Sequence, residues 1–352
     1  MDLPASDPPS APGGLEASPA TTAAVRPASI RRRLHDLPER TMRSVLLALS
    51  RRRSLGRLAR WMPLSRTMVA RFVSGETLDE ALPALERIRD AGLRTPVDVL
   101  GESVSSSAAA SAAADRYLAL LDALAARGLD GNVSLKLTQM GLDIGHDVCR
   151  ANVERVFRKA GETRSFVRID MEDHTKTDAT LGIWSELRPI LPSSGVVIQA
   201  ALMRSDADVD ALIAERGRVR LCKGAYKEPA SVAYQDKADV DRAYVRLMER
   251  LLREGEYPAL ATHDERIVRR AIAFVQREGI GPERFEFQML YGIRRDLQES
   301  LVRDGWTVRV YVPFGSEWYP YFMRRLAERP ANVAFLLRSV LRERRGGSAS
   351  LG

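Results

Sequence analysis

Eight short runs of β-branched and apolar residues, separated by stretches of helical periodicity, constrain this chain more than any other feature. The runs fall at 97–100, 133–137, 166–171, 196–200, 219–222, 259–262, 285–289 and 308–312. Between them lie helical patterns at 108–126, 146–159, 178–191, 206–214, 238–253, 264–276 and 293–303. A further helix is expected over 77–93, with Thr77 as its cap and Gly92 at its end. Strands that alternate with helices argue for a parallel sheet. Eight such units predict an α/β protein, a (β/α)8 TIM-like barrel with additional N-terminal helices. An open doubly wound sheet is the alternative, but no G-x-G-x-x-G follows the first run.

The charge is unevenly distributed, which divides the chain. Residues 1–71 carry 13 arginines against 5 acidic residues, leaving 41 basic and 41 acidic residues in the remainder. The net charge of +8 therefore belongs to an N-terminal arm. Residues 1–29, rich in Pro, Ala, Ser and Thr, predict a disordered tail. Residues 30–76 form a basic helical arm with interspersed Leu, Val, Trp61 and Met62. Packing on the main domain and contact with anionic lipid both fit this pattern. Nucleic-acid binding is disfavoured, because no reader motif accompanies the charge. The catalytic barrel is expected over 77–345, with a flexible tail at 346–352.

Two cysteines, Cys149 and Cys222, make no disulfide framework and fit a reducing compartment. Four scattered histidines show no metal-ligand spacing. No apolar run approaches the roughly 18 residues needed for a membrane span, and no secretory leader is expected. A cytoplasmic location follows, with the arm able to bring the protein to the inner face of the membrane.

In a barrel of this kind, chemistry sits at the C-terminal ends of the strands. Those positions hold Lys136, Asp170, Glu172, Gln199, Arg220, Lys223, Thr262, His263, Gln288 and Tyr311. An unpaired buried charge costs several kcal/mol, so so many ionisable groups at one end predict a shared site for an anionic ligand. The last strand leads through Pro313 and Gly315, expected to break it, into a helix from Glu317. That helix carries Arg324, Arg325 and Glu328, spaced to share one face. Two adjacent guanidiniums suit a planar carboxylate.

The segments S-L-K-L-T (134–138), R-I-D-M-E (168–172), V-V-I-Q-A (196–200), R-L-C-K-G-A-Y-K-E-P (220–229), A-T-H-D (261–264), F-E-F-Q-M-L-Y-G (285–292) and Y-V-P-F-G…Y-F-M-R-R-L-A-E (311–328) resemble the proline dehydrogenase family, specifically its single-function bacterial type. The resemblance runs from about Leu93 to about Leu341. It implies that FAD oxidises L-proline to 1-pyrroline-5-carboxylate, the first step of proline catabolism, and that a quinone takes the electrons. Arg324, Arg325 and Lys136 match the family's carboxylate clamp, and Tyr226, Leu290, Tyr311 and Tyr321 match the residues that pack the ring. Tyr311 also leaves no room for a ring hydroxyl. Asp170 and Glu328 match acidic partners of the clamp.

For the cofactor, the resemblance places Arg220 at the N5 edge of the flavin and Gln199 at its carbonyl edge. Lys223, Gly224 and Ala225, next to Cys222, match the ribityl and phosphate contacts, and Thr262 and His263 match the adenosine contacts. Cys222 stands where the family has valine and reads as a small buried hydrophobe. Lys227 stands where the fused bifunctional enzymes have tryptophan, and a separate pyrroline-5-carboxylate dehydrogenase is expected downstream. Two other readings stand beside this one. One is a lyase that uses Lys136 or Lys223 as a Schiff base. The other is a nucleic-acid-binding regulator that kept the barrel.

Overall fold

The computed structural model describes residues 69–101 and 103–328, with side chains through 325. The 1–29 tail, the arm up to residue 68, the 329–345 end of the expected barrel and the 346–352 tail lie outside the described residues.

The described chain begins with Val69–Glu76 and a helix α1 (Leu78–Asp90). Thr77 caps α1 as expected, its side chain accepting the Glu80 N–H. Strand β1 (Val97–Val99) follows, then α2 (Ser107–Ala126), β2 (Asn132–Lys136), α3 (His146–Glu162) and β3 (Phe166–Asp170). Next come α4 (Thr177–Leu187), β4 (Gly195–Gln199), α5 (Ser205–Ala214), β5 (Arg218–Cys222), α6 (Lys237–Glu254) and β6 (Ala259–Ala261). The described chain ends with α7 (Glu265–Glu278), β7 (Glu286–Leu290), α8 (Arg295–Arg303), β8 (Val308–Phe314) and α9 (Trp318–Glu328). All eight strands are parallel and close in sequence order, β8 pairing with β1 through Val97–Val312. The barrel expectation holds.

Most boundaries shift by a residue or two, α4 stops at Leu187 short of the expected 191, and β8 departs from the expected break. Strand β8 runs through Pro313 to Phe314 instead of stopping before the proline. Proline lacks only the N–H, which a terminal strand position does without. Its carbonyl still accepts the Ser74 N–H at 3.0 Å, so the pairing continues on one side.

Strand alternation sorts the residues into two layers. Val133, Leu135, Val167, Ile169, Val219 and Leu221 face outward and join one continuous apolar core with the helices. Their alternates Ser134, Arg168, Asp170, Arg220, Gln288 and Arg309 face the barrel axis. Hydrogen bonds between strands that are not neighbours prove that orientation: Arg220 on β5 reaches Ser134 on β2 at 2.9 Å, and Tyr311 on β8 reaches Asp170 on β3 at 2.8 Å. The oily layer is thus the wall of the barrel, and the interior is polar.

Candidate active site

The interior network is built around Arg220, which is only 5% exposed. Its Nε donates to Gln288 Oε1 at 2.6 Å, Nη1 to Asp170 Oδ1 at 2.6 Å and Nη2 to Ser134 Oγ at 2.9 Å. The guanidinium also stacks 5.2 Å from the Tyr311 ring centroid. Four strands therefore hold one cation. Below it, Gln288 donates to Glu286 Oε1 at 2.5 Å, and Glu286 accepts Arg309 Nε at 2.8 and 3.0 Å. Arg309 continues to Asp130. Burial alone would raise the Glu286 pKa, but Arg309 outweighs it and holds the carboxylate below its ordinary value.

Lys136, at the end of β2, donates to both carboxylate oxygens of Asp98 at 3.0 Å. Burial works against its charge, yet Asp98 and Asp170 outweigh it and raise its pKa. Two of the three ammonium protons are engaged, and the side chain remains 24% exposed toward the mouth. Asp170 lies beside Lys136 in register. Burial, then Asp170 and Asp98, hold the Tyr311 phenol far above its ordinary pKa, so it stays protonated and donates.

Asp170, expected to partner the arginines of the last helix, accepts here from donors inside the barrel. Its two oxygens are taken by Arg220 and Tyr311. The reason is geometric: Asp170 faces the barrel axis, where β5 and β8 present their own donors. Among the described residues Arg324 makes no hydrogen bond or ion pair with the network. Arg324 does lie near enough to Tyr226 to act on its phenol. Although Tyr226 is 46% exposed, partial desolvation of the phenol raises its pKa most, Glu172 and Asp170 add to it, and Arg324 opposes them. Helix α9 and the β5 loop thus meet at the same rim. Arg325 lies with its guanidinium 5.2 Å from the Tyr321 ring centroid. The Glu328 side chain lies outside the described residues.

The start of the described chain holds α9 in place. Val69, Phe72 and Val73 pack with Leu100, Trp318, Tyr321, Phe322 and Met323 in a second apolar cluster. Ser74 N–H and Oγ donate to the Pro313 carbonyl, Gly315 N–H to the Gly75 carbonyl, and Trp318 Nε1 to Glu76 at 2.8 Å. This part of the arm packs on the barrel rim.

The remaining predicted residues also gather at that rim. Gln199 is buried and donates to the Glu172 carbonyl at 2.8 Å. Lys223 reaches Asp241 at 2.5 Å and Asp264 at 3.1 Å, and Ala225 is exposed beyond it. His263 Nε2 accepts the Leu290 N–H at 2.9 Å, which binds the ends of β6 and β7. Thr262 is buried, and its hydroxyl accepts the Asp264 N–H. Burial pushes the Cys222 thiol up to about 11, which fits an inert small side chain. Gly224 has φ +108°, a conformation only glycine adopts without strain.

Sequence reasoning missed Asp98, Ser134 and Tyr117. Asp98 is 1% exposed in the middle of β1, and its charge breaking an apolar run was the available signal. Tyr117 on α2 donates to the Ser134 carbonyl at 2.8 Å and lies against Asp98. Among the described residues no group of histidine, cysteine or acidic side chains is placed to hold a metal ion.

Comparison with known proteins identifies the family. The family model for proline dehydrogenase matches residues 81–338. The proline dehydrogenase of Deinococcus radiodurans is 42% identical over 305 residues, covering 85% of this chain and 98% of that protein. Proline dehydrogenase 2 of Bacillus subtilis strain 168 is 37% identical, covering 86% and 99%. The crystal structure of proline utilization A from Bdellovibrio bacteriovorus, inactivated by N-propargylglycine, superposes with a TM-score of 0.70 at 29% identity. It is matched over 74% of this chain, which spans 32% of that longer protein. With an eight-stranded barrel, a family match over most of its length and relatives of similar size, this chain belongs to the proline dehydrogenase family.

Proposed function

We propose that this chain oxidises L-proline to 1-pyrroline-5-carboxylate with a bound flavin, FAD, as the immediate oxidant. The observation that carries the reading is the buried Arg220–Asp170–Tyr311 network with Lys136 beside it, open at the mouth where Tyr226 and α9 converge. The residues at that mouth fit a flavin. Arg220 and Gln199 supply a cation and an amide suited to its polar edge, and Gly224 leaves backbone room for close approach. A Cβ at Gly224 would lie 3.2 Å from that of Ala201 and 3.4 Å from Gln199 Oε1, closing that room. When bound, the flavin supplies the two-electron acceptor.

The chain's own residues then bind and orient the substrate. Arg324 and Arg325 offer a bidentate fork to the carboxylate, and the third proton of Lys136 adds a point charge from below. Glu328, one turn after Arg324, is proposed to offset the fork when no substrate is present. Tyr226, Leu290, Tyr311 and Tyr321 pack the five-membered ring, and Tyr311, fixed through Asp170, sets its height above the network. Arg220 places a fixed cation where electron density arrives, at no reorganisation cost, because Asp170, Gln288 and Ser134 already hold it. The carbon beside nitrogen gives up a hydride as the C=N bond forms. The amine must be neutral for its lone pair to push, so activity is expected to rise between pH 6 and 9.

Lys223, Gly224, Ala225, Thr262 and His263 are proposed to hold the remainder of the cofactor. Electrons are proposed to pass to a quinone, and the basic arm to bring the protein to anionic lipid. Among the described residues no helix is long and apolar enough to cross a membrane. A separate dehydrogenase would consume the product. The reading is tested by incubating the purified protein with L-proline and a soluble quinone, and trapping the imine with an aromatic amino-aldehyde. Imine formed in step with quinone reduction supports it; a colourless protein that reduces no quinone contradicts it. Borohydride trapping of a substrate on Lys136 or Lys223 would favour the Schiff-base reading instead.

A further inference from the structure

We propose that Glu228 is a positioning residue for the substrate pocket: its carboxylate clasps His174 on the β3 loop, two strands away, and so fixes the loop that carries Tyr226. The inference rests on the reading of Tyr226 as a wall of that pocket.

The β5 loop is long, running from Lys223 to Asp236 before α6 begins. Its two ends are tied down. At the near end the Ala201 N–H donates to the Lys223 carbonyl. At the far end Met203 N–H donates to Val232 and Tyr234 N–H to Ala201, beside an antiparallel bridge of Leu202 to Ala233. Between these ties, Gly224, Ala225, Tyr226 and Lys227 are exposed, as are Pro229, Ala230 and Ser231. The exception is Glu228, whose side chain is 7% exposed.

A carboxylate that leaves water needs donors. Glu228 has two from one residue: the His174 backbone N–H at 2.9 Å on Oε1, and the His174 ring Nδ1 at 2.5 Å on Oε2. Its own carbonyl accepts from Gln235 at 3.2 Å. Among the described residues, no other hydrogen bond ties 224–231 to a different strand-end loop. His174 opens a short 3-10 turn two residues after Glu172, so it is fixed to the end of β3. Tyr226 lies two residues from the clasp and feels Glu172, Asp170 and Asp173 of that same strand end and loop. The clasp bridges two loops across the end of β4 and seats the segment that follows the left-handed turn at Gly224.

Both Glu228 oxygens are engaged by His174, so loop order and substrate affinity are the readouts of the clasp. The full-length holoenzyme is compared as wild type, Glu228→Ala, Glu228→Gln and His174→Ala, by backbone amide exchange and by L-proline turnover. In Glu228→Ala, amides of 224–231 should exchange about tenfold faster, with those of β5 unchanged. Its KM for L-proline should rise about tenfold, with kcat within about twofold, because the ordered pocket is lost and the chemistry is not. Glu228→Gln keeps an acceptor for the His174 N–H and should stay within about twofold of wild type on both readouts. His174→Ala keeps that N–H, loses the ring, and should fall between them.

Unchanged exchange in Glu228→Ala overturns the proposal, and so does faster exchange with an unchanged KM. A Gln variant as impaired as the Ala variant overturns it too. A wild-type protein inert toward L-proline would sink the reading of the pocket, while the exchange measurement still decides the clasp.

Discussion

The half of the candidate site that grows from the barrel and the half that lies on its rim are built in opposite ways. Arg220, Asp170, Lys136 and Tyr311 are locked by short bonds from several strands, and each is buried or nearly so. Arg324 and Tyr226 are exposed, and they stand on a helix and a loop held by a small apolar cluster, a few rim hydrogen bonds and one side-chain clasp. The rigid half suits groups whose charge must be in place before electron density arrives. The looser half suits groups that must admit a ligand and close on it. The same division marks the energetics. Removing a barrel residue should damage stability and activity together, whereas removing a rim residue should damage affinity alone.

Arg220→Met should break the comparison most violently. It leaves Asp170 buried with Tyr311 as its remaining donor, so a loss of roughly 3–5 kcal/mol in urea-denaturation stability is expected, with turnover close to background. Arg220→Lys keeps the charge but reaches fewer of the three acceptors, and kcat should fall by about 10²-fold. An Arg220→Met protein as stable as wild type would mean that the network is not the keystone of the barrel interior.

Arg324→Ala samples the other half. One charge-assisted hydrogen bond to a carboxylate is worth about 1.5–3 kcal/mol, which predicts a KM for L-proline raised by about 10- to 150-fold. The stability change should stay under about 1 kcal/mol, since Arg324 is exposed and any ion pair it makes there is solvent-screened. A fall in kcat with unchanged KM would place Arg324 outside the carboxylate clamp.

Gly292→Ala tests the segment 69–76, which straps α9 to the rim. Gly292 has φ +74°, and a Cβ there would sit 1.8 Å from the Arg71 carbonyl oxygen, so the start of the described chain must lift. A rise in KM of several-fold is expected without loss of the barrel, at a backbone cost of about 1 kcal/mol. Unchanged kinetics would show that the strap packs on α9 without placing it.

The smallest effect concerns pH and stability. Because Arg309 holds the Glu286 pKa below its ordinary value, Glu286 stabilises the fold above about pH 4.3, its unfolded value. That stability is lost as pH falls through the lower folded pKa. Wild type should therefore lose stability more steeply than Glu286→Gln on acidification from pH 5, read from urea midpoints at successive pH values. Parallel slopes would remove Glu286 from the acid limb.

Most of this architecture was legible in the sequence, because strand ends announce themselves by β-branched runs that stop at a charge. All eight predicted strands appear, and Lys136, Asp170, Gln199, Arg220 and Tyr311 stand where that logic put them. The pairing was not legible. Asp170 and Tyr311 are 141 residues apart, and only the closure of the sheet decides which donor crosses to which acceptor. Asp98 escaped because it sits in the middle of a three-residue strand, whereas the reading looked for charges at strand ends. The Glu228 clasp escaped for a related reason: His174 and Glu228 are 54 residues apart on irregular loops, where sequence spacing carries no geometry.

The most direct measurement is the visible spectrum of the purified protein under anaerobic conditions, first with pyrrolidine and then with L-proline. The account predicts a yellow protein that pyrrolidine leaves coloured, because the ring amine brings no carboxylate to Lys136 and the arginines, and that L-proline bleaches. A colourless protein, or one bleached equally by both amines, would contradict it.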